Sequence, residues 1–309
     1  MTDAIIFPGQ GAQHEGMGKS WADESKAAAK VFEDADSILG FSLSDACWSS
    51  GDEIHRTDLA QPAIFTSSVA ALAGLKERGF DLSGVKTTAG LSLGEYSALW
   101  WAGVLSFEDA LRLVRLRGQA MQEASELSKS GMMSLVGATP KQAKAIADAG
   151  AEAGICSVAN MNAPGQIVIS GEIAALDKAE QAAKDSGVRR AIRLSVAGGF
   201  HSECMRPAAD KLGAALAETQ LSDPKATVIS NVTARPVSGP EEARDLLQRQ
   251  VCSPVLWEES VRWMIDSGCS TFLEPAPGKV LTGIMRKINR DIPCESADIP
   301  TAEEGAETA

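Results

Sequence analysis

The sequence predicts an α/β fold in which a small domain interrupts a larger one. Residues 4–7 are a short apolar run that ends at Pro8 and Gly9. Helical patterns then alternate with strand-like runs to about residue 125, as in a parallel sheet covered by helices. The pattern changes over residues 126–198 and the alternation resumes afterwards. We therefore expect a discontinuous larger domain over residues 1–125 and 199–309, and an inserted domain over residues 126–198.

The inserted segment is predicted to contain two helices and four strands in the order βαββαβ. A strand-like run over 132–136 precedes a helical stretch over 140–149. Two further strand-like runs, around Ser157 and over 166–170, are separated by a turn at residues 162–165. A second helical stretch over 173–185 leads to a strand over 190–196. This order is the signature of a ferredoxin-like fold. The acidic residues 296–309 are predicted to lack fixed structure.

Composition narrows the class of protein. The net charge is −12, which argues against a nucleic-acid binder because such proteins need a basic face. No run approaches the ~18 apolar residues of a membrane helix, and no signal peptide is indicated. The six cysteines are scattered without a Cys-x-x-Cys pair, so we expect reduced thiols, a cytoplasmic protein and no metal site.

A candidate nucleophile lies at Ser92, inside the sequence Gly-Leu-Ser-Leu-Gly that runs from Gly90 to Gly94. A β-branched stretch precedes it and a good helix start follows, which is the strand–turn–helix context of a nucleophile elbow. Such a turn exposes the hydroxyl, and the helix N-terminus stabilises developing negative charge. The simpler alternative is a helix cap after a glycine turn. Glu95, in the first turn of that helix, is interpreted as a favourable partner of the helix dipole.

A serine hydroxyl needs a base within hydrogen-bond reach, and the chain has three histidines. His55 lies in a polar stretch that we interpret as surface. His14 follows the first strand loop in what reads as an exposed turn. His201 comes directly after a predicted strand and a flexible Ala-Gly-Gly, where catalytic groups are often placed. The alternative for His201 is a structural histidine.

Arg117 occupies an unusual position on its predicted helix. The helix begins at Ser106, and at about 100° per residue its apolar positions form one wide arc. Arg112 and Arg115 fall on the opposite, polar side, whereas Arg117 falls near the centre of the arc. A buried guanidinium needs an anionic partner, which is either an internal carboxylate or the carboxylate of a substrate.

These motifs resemble those of the malonyl-CoA:acyl carrier protein transacylases and the related polyketide acyltransferase domains. The resemblance spans nearly the whole chain in the family's order, and it rests on residues 7–13, 90–96, 117–121, 159–171 and 200–202. It implies an α/β-hydrolase-like core that carries the ferredoxin-like insert. It also implies an acyltransferase of fatty acid synthesis that moves malonyl from malonyl-CoA to acyl carrier protein.

The resemblance also implies a role for each site residue. Ser92 becomes malonylated with His201 as its base, and Arg117 holds the malonyl carboxylate. The backbone N–H groups of Gln10 and Leu93 form the oxyanion hole. No cofactor is implied, because the CoA thioester is a substrate and the carrier protein brings its own phosphopantetheine.

Gln250 resembles the residue whose main-chain carbonyl orients the histidine, although a polar residue at a helix end explains it equally. Leu91 departs from the family, which usually has a histidine before the nucleophile; we expect its side chain to point away from the exposed face of the elbow. Phe200 before His201 resembles the malonyl-selective pattern.

Three other functions remain open at this point. A free-standing acyltransferase of a polyketide synthase would share every motif. A serine thioesterase or hydrolase would share Ser92 and His201 but has no need of Arg117 on an apolar face. A carrier-binding scaffold without catalysis is the third. Because both carriers are anionic, we expect a basic docking surface, formed by Arg189, Arg190 and Arg193 or by Lys279, Arg286, Lys287 and Arg290.

Overall fold

The computed structural model describes residues 2–300, which form twelve α-helices and nine strands. The strands are β1 (Ala4–Phe7), β2 (Thr87–Gly90), β3 (Ser130–Val136), β4 (Cys156–Ala163), β5 (Gln166–Glu172), β6 (Arg190–Arg193), β7 (Thr227–Ile229), β8 (Phe272–Pro275) and β9 (Cys294–Ala297). The helices are α1 (Lys19–Glu24), α2 (Lys26–Leu39), α3 (Leu43–Ser49), α4 (Thr57–Glu77), α5 (Gly94–Trp101), α6 (Phe107–Leu127), α7 (Pro140–Ala151), α8 (Ile173–Asp185), α9 (Arg206–Glu218), α10 (Pro240–Gln250), α11 (Trp257–Asp266) and α12 (Val280–Ile288).

A five-stranded sheet organises the larger part of the molecule. Its order is β7-β2-β1-β8-β9, and every neighbouring pair is parallel. Strand β1 is buried on both faces, as strands of a helix-covered parallel sheet are. Ile5 and Phe7 belong to one hydrophobic cluster, and Ala4 and Ile6 to another, because successive side chains point to opposite faces. The predicted parallel sheet is confirmed.

A separate four-stranded antiparallel sheet is formed by residues 130–193, in the order β4-β5-β3-β6. Helices α7 and α8 cover one of its faces. Met133 and Ile169 pack in the cluster under these helices, whereas Met132 and Val168 pack on the opposite face with the larger core. The alternation of strands β3 and β5 therefore gives this sheet an apolar face toward the rest of the molecule.

Several helix starts follow from their capping residues. Thr139 accepts a hydrogen bond from the Gln142 N–H, the Gln142 side chain reaches back, and Pro140 occupies the first turn, so α7 begins where the sequence predicts. Ser106 caps α6 in the same way, accepting from the Asp109 N–H at 3.0 Å.

Two boundaries differ from the prediction. The last strand of the small sheet ends at Arg193 rather than at residue 196. The segment predicted to lack fixed structure contributes Ser296 and Ala297 to β9, because these residues pair with β8; its residues 301–309 lie outside the described part. Among residues 2–300, no helix is long and apolar enough to cross a membrane. Nor do these residues contain a His, Cys, Asp and Glu cluster that could hold a metal.

Candidate active site

Ser92 lies on a sharp turn between β2 and α5. Its φ is 53°, a left-handed conformation that is rare for residues other than glycine. Both flanking glycines are required by close packing. A Cβ on Gly90 would lie 1.9 Å from the carbonyl group of Gly94, and a Cβ on Gly94 would lie 2.3 Å from the Phe7 oxygen. The spacing Gly-x-Ser-x-Gly therefore encodes a turn that only glycine can flank, and the turn presents the Ser92 hydroxyl.

Asn231 holds this turn from the buried side through two hydrogen bonds, which we call the Asn231 strap. It follows the end of β7, the neighbour of β2, and it is fully buried. Its side-chain oxygen accepts from the Ser92 N–H at 2.6 Å, and its amide nitrogen donates to the Gly90 carbonyl at 2.7 Å. One side chain thus holds the peptide groups on both sides of Leu91.

His201 lies in the segment that returns from the small sheet, with a φ of 59°. Its Nε2 is 2.8 Å from the Ser92 Oγ, and its Nδ1 is 2.9 Å from the Gln250 carbonyl oxygen. Because a carbonyl only accepts, Nδ1 carries the proton and Nε2 is free to accept one from Ser92. Burial, with the nearby Arg117 charge as a smaller cause, lowers the pKa of His201 to about 4. The imidazole is therefore neutral near pH 7 and can act as a base.

Arg117 projects from α6 into the same place and is 1% exposed. Its Nη2 donates to the Ser92 Oγ at 3.0 Å and to the Gln250 Oε1 at 2.9 Å, and its Nη1 donates to the Gln61 Oε1 at 2.7 Å. Its Nε has no hydrogen-bond partner in the described part of the chain. Burial lowers the pKa of this guanidinium, but an arginine keeps its charge in proteins.

No carboxylate of residues 2–300 forms an ion pair with Arg117. The acid connected to it is Glu95, which is 1% exposed and is joined to it through the side chain of Gln250. Gln250 accepts from Arg117 and donates its Nε2 hydrogens to the Glu95 Oε2 at 2.6 Å and to the Ser92 carbonyl at 2.8 Å. Burial raises the pKa of Glu95 to about 7.

Two backbone N–H groups close to the nucleophile turn have no hydrogen-bond acceptor among the described residues. Leu93 directly follows Ser92 at the start of α5, and Gln10 follows β1. Within residues 2–300 neither N–H donates a hydrogen bond, and Gln10 lines the cavity in front of Ser92. The Gln10 side chain is held elsewhere, by the Thr57 hydroxyl at 3.3 Å.

A cavity of about 720 Å³ opens in front of these groups, between the two sheets. One wall carries the polar groups of Gln10, Ser92, Arg117 and His201. The other wall belongs to the small sheet and the segment after it, and its members are Met132, Asn160, Asn162, Val168, Leu194, Ser195, Val196 and Ala197. The cavity therefore brings a serine hydroxyl, a neutral imidazole and a buried cation to one space.

The other two histidines and Leu91 lie at the surface or at the edge of the cavity. His14 lies on the surface beside Asp298. The stretch around His55 is exposed as expected, but His55 also lines the mouth of the cavity, where Gln13 contacts it at 3.3 Å. The Leu91 side chain was expected to point away from the exposed face of the elbow; it packs against the core, and the residue also lines the cavity.

The helix that carries Arg117 also departs from expectation at one position. Arg115 was expected on the polar side, yet it is only 22% exposed and binds Asp58 of α4. Of the two proposed docking surfaces, the first includes Arg193, which is paired with Asp177 and Glu180, so its charge is largely compensated.

Sequence reasoning missed Gln61 and Asn231, and it underestimated Glu95 and Gln250. Gln61 is a fully buried amide in α4, among apolar neighbours such as Ala60 and Ile64. A polar side chain among apolar helix positions could have identified Gln61 from the sequence, as it identified Arg117. Asn231, at the end of a strand-like run, could have been marked in the same way.

The fold and the Ser–His–Arg cluster together define an acyl transferase. The profile described as "Acyl transferase domain" matches residues 4–304, so the chain belongs to that family. The Malonyl CoA-acyl carrier protein transacylase of Bacillus subtilis (strain 168) is 43% identical over 289 residues, which are 93% of this chain and 90% of the relative. The family resemblance inferred from the motifs is confirmed.

Solved structures agree with this assignment. The crystal structure of acyl-carrier-protein-S-malonyltransferase from Bartonella henselae has a TM-score of 0.93 and 41% identity, and the match covers 96% of each chain. A type II PKS acyl-carrier protein in complex with its malonyl-transacylase matches with a TM-score of 0.92 and 35% identity, over 97% of each chain.

Proposed function

We propose that this protein transfers the malonyl group of malonyl-CoA to the phosphopantetheine thiol of acyl carrier protein, in fatty acid synthesis, through a malonyl ester on Ser92. The observation that carries this proposal is the position of Arg117. Its guanidinium lies within hydrogen-bond distance of the Ser92 hydroxyl and makes no ion pair within residues 2–300. A cation so placed suits an acyl group that ends in a carboxylate.

In the first half-reaction His201 Nε2 takes the Ser92 proton while the Oγ attacks the thioester carbon. The tetrahedral oxyanion is stabilised by the N–H groups of Gln10 and Leu93. As it collapses, the C–S bond breaks and the CoA thiolate leaves with the proton from His201. The Gln250 carbonyl, 2.9 Å from Nδ1, keeps the imidazole in the tautomer that accepts at Nε2 and stabilises the imidazolium.

The second half-reaction runs the same steps in reverse with a different thiol. The carrier's phosphopantetheine thiol gives its proton to His201, and its sulfur attacks the malonyl ester. The C–O bond to Ser92 then breaks, and the serine oxygen recovers the proton. The chemistry requires no resident cofactor and no metal, because both thiols arrive with the substrates. We assign the enzyme to the cytoplasm, in accordance with its free cysteines.

For the described residues we propose an α/β-hydrolase-like core, residues 2–125 and 199–300, with a ferredoxin-like insert, residues 126–198. The strand–turn–helix at Ser92 on a parallel sheet supports the first description. The order βαββαβ from β3 to β6, in an antiparallel sheet, supports the second.

A labelling experiment tests the function. The protein is incubated with radiolabelled malonyl-CoA and then with holo acyl carrier protein. We expect a stable label on Ser92 that moves to the carrier, and no label on Ser92→Ala. Rapid release of free malonate would favour a hydrolase, and an unlabelled wild-type protein would favour a carrier-binding scaffold.

One comparison supports a second candidate function, a free-standing acyltransferase for a polyketide synthase. It is the match to a malonyl-transacylase in complex with a type II PKS acyl-carrier protein. Repeating the second incubation with fatty acid and polyketide carriers compares the two functions directly. We expect faster transfer to the fatty acid carrier.

A further inference from the structure

We propose that Gln13 is a positioning residue for the oxyanion hole, because its side chain fixes the peptide group that follows Gln10 and so keeps the Gln10 N–H in place for the reacting carbonyl. The inference rests on the proposed function and adds a residue to its mechanism. Within residues 2–300 Gln13 makes no hydrogen bond to Ser92 or His201, so it acts through the loop that carries Gln10.

The loop after β1 is held by packing on one side of Gln10 and not on the other. Before Gln10, Gly9 lies against the nucleophile turn, where a Cβ would be 2.3 Å from the Leu91 oxygen. After Gln10, Gly11 has a φ of 106°, and a Cβ at this residue would meet nothing within 4 Å. Because glycine has the most backbone freedom of all residues, the peptide group between Gln10 and Gly11 can rotate unless a hydrogen bond fixes it.

The side chain of Gln13 supplies that hydrogen bond. Its Oε1 accepts from the Gly11 N–H at 2.6 Å. Its Nε2 is 3.3 Å from the Nδ1 of His55, which lies just before the start of α4. The side chain of Gln10 is fastened to the same segment, since its Nε2 donates to the Thr57 hydroxyl at 3.3 Å. Two glutamine side chains thus tie the loop to the place where α4 begins.

The hydrogen bond to Gln13 distinguishes two neighbouring N–H groups. Successive backbone N–H groups in a loop can form a concave site that binds an anion. In this loop the Gly11 N–H already has an acceptor, whereas the Gln10 N–H has none within residues 2–300. Gln10 and Gly11 both line the cavity in front of Ser92. The side chain of Gln13 therefore occupies one N–H of the pair and leaves the one that the mechanism uses.

A direct contact between Gln13 and the substrate would have a different kinetic effect. Gln13 and His55 both line the cavity, so such a contact is the alternative to a positioning role. A group that binds the ground state and the transition state equally changes KM and leaves kcat unchanged. A group that places an oxyanion-hole N–H changes kcat, because the oxyanion forms only as the reaction proceeds. Separate values of kcat and KM therefore distinguish the two roles.

The test removes the accepting oxygen of Gln13 at nearly constant side-chain length. Gln13→Met does so, and Gln13→Glu retains an oxygen for the Gly11 N–H. Gln122→Met is the matched control, since it makes the same change on the polar side of α6, where Gln122 donates to Glu126 at 3.3 Å. Rapid-quench acylation of Ser92 over a range of malonyl-CoA and acetyl-CoA concentrations gives the maximal rate and the half-saturating concentration. The infrared stretch of the isotope-labelled ester carbonyl of the acyl-enzyme is also recorded.

We expect Gln13→Met to lower the maximal acylation rate by about 10- to 100-fold for malonyl-CoA and acetyl-CoA alike, because the same oxyanion forms with both. The half-saturating concentrations should stay within about threefold of wild type. The ester carbonyl band should move to higher wavenumber, since a weaker hydrogen bond leaves the C=O bond stiffer. Gln13→Glu should recover the acetyl-CoA rate to within about fivefold of wild type, because a carboxylate oxygen also accepts. Gln122→Met should match wild type within about twofold.

Three results would overturn the inference while leaving the proposed function intact. One is a maximal rate in Gln13→Met within about threefold of wild type. Another is a rise in the half-saturating concentration alone, which would indicate direct contact with the substrate. The third is a loss in Gln13→Glu as large as in Gln13→Met, because the accepting oxygen would then not be decisive. Gln13→Ala, which also lacks that oxygen, gives the same measurement if the methionine variant fails to fold. Failure of wild type to form malonyl-Ser92 would instead reject the function.

Discussion

The two hydrogen bonds from Asn231 to the nucleophile turn predict an effect on the position of Ser92 that can be measured separately from their effect on protein stability. Asn231→Ala removes both hydrogen bonds that the side chain makes to the turn, to the Ser92 N–H at 2.6 Å and to the Gly90 carbonyl at 2.7 Å. Each is a buried peptide group, and leaving one without a partner costs about 1–3 kcal/mol, so the pair predicts a loss of about 2–6 kcal/mol of unfolding free energy.

The effect on catalysis should be larger than the loss of stability explains. Ser92 is held at a φ of 53°, which its own side chain does not favour, so the turn relaxes once Asn231 is truncated. A misplacement of the hydroxyl by about 1 Å from His201 can slow the reaction by about 100-fold, and we expect Ser92 acylation to be about 10- to 100-fold slower. Rapid-quench measurement of a single turnover with malonyl-CoA gives this rate directly.

Ser68→Ala is the matched control. The Ser68 hydroxyl donates a buried hydrogen bond to the Ala276 carbonyl at 2.6 Å and makes no bond to the catalytic groups. Its loss should lower the free energy of unfolding in urea without slowing acylation. If Asn231→Ala loses stability as expected but acylates Ser92 within about twofold of wild type, the strap does not position the nucleophile and the reasoning is refuted.

Three further predictions follow from the site. Arg117→Ala should lower malonyl transfer by at least about 10-fold while acetyl transfer holds or rises, and an unchanged preference in a competition assay would remove the substrate assignment. Because protonation of His201 inactivates the base and its pKa is about 4, kcat/KM should stay level from neutral pH downward and fall only near pH 4; an inflection near the ordinary histidine value of about 6.5 would contradict this. Gly90→Ala should yield inactive or insoluble protein because its Cβ would lie 1.9 Å from Gly94, whereas Gly283→Ala, a helical position with nothing within 4 Å, should raise the unfolding free energy by about 0.4–1 kcal/mol in urea titrations.

The elements that the sequence predicts best are those encoded by local rules. Capping at Ser106 and Thr139 and the period of the apolar residues place the start of α6, and both ends of α7, to within two residues. The elbow at Ser92 is likewise encoded locally, because Gly90 and Gly94 are the residues that the turn requires. The observed strand order, by contrast, depends on pairings between distant segments, such as Ala4 with Phe272, which no local pattern specifies.

A site residue could be predicted from the sequence where it interrupted a local pattern of apolar residues. It could not be predicted where its role depends on contacts with several distant residues. Arg117 was visible because a cation interrupts an apolar arc. Glu95 was interpreted as a partner of the helix dipole, and its actual environment depends on Gln250, at the end of α10, and on Asn231, in the turn after β7. A side chain's partners across the fold cannot be deduced from its own neighbours in sequence.

The loop after β1 and the nucleophile turn at Ser92 are in close backbone contact. A Cβ on Gly9 would lie 2.3 Å from the Leu91 oxygen, and the Leu91 N–H donates to the Phe7 oxygen at 3.0 Å. A substitution that enlarges a residue in one segment therefore requires a compensating change in the other. Changes in acyl-chain preference are better sought in the wall formed by the small sheet, where Met132 and Val168 line the cavity with apolar side chains. An engineer who wants a broader acyl range should begin there.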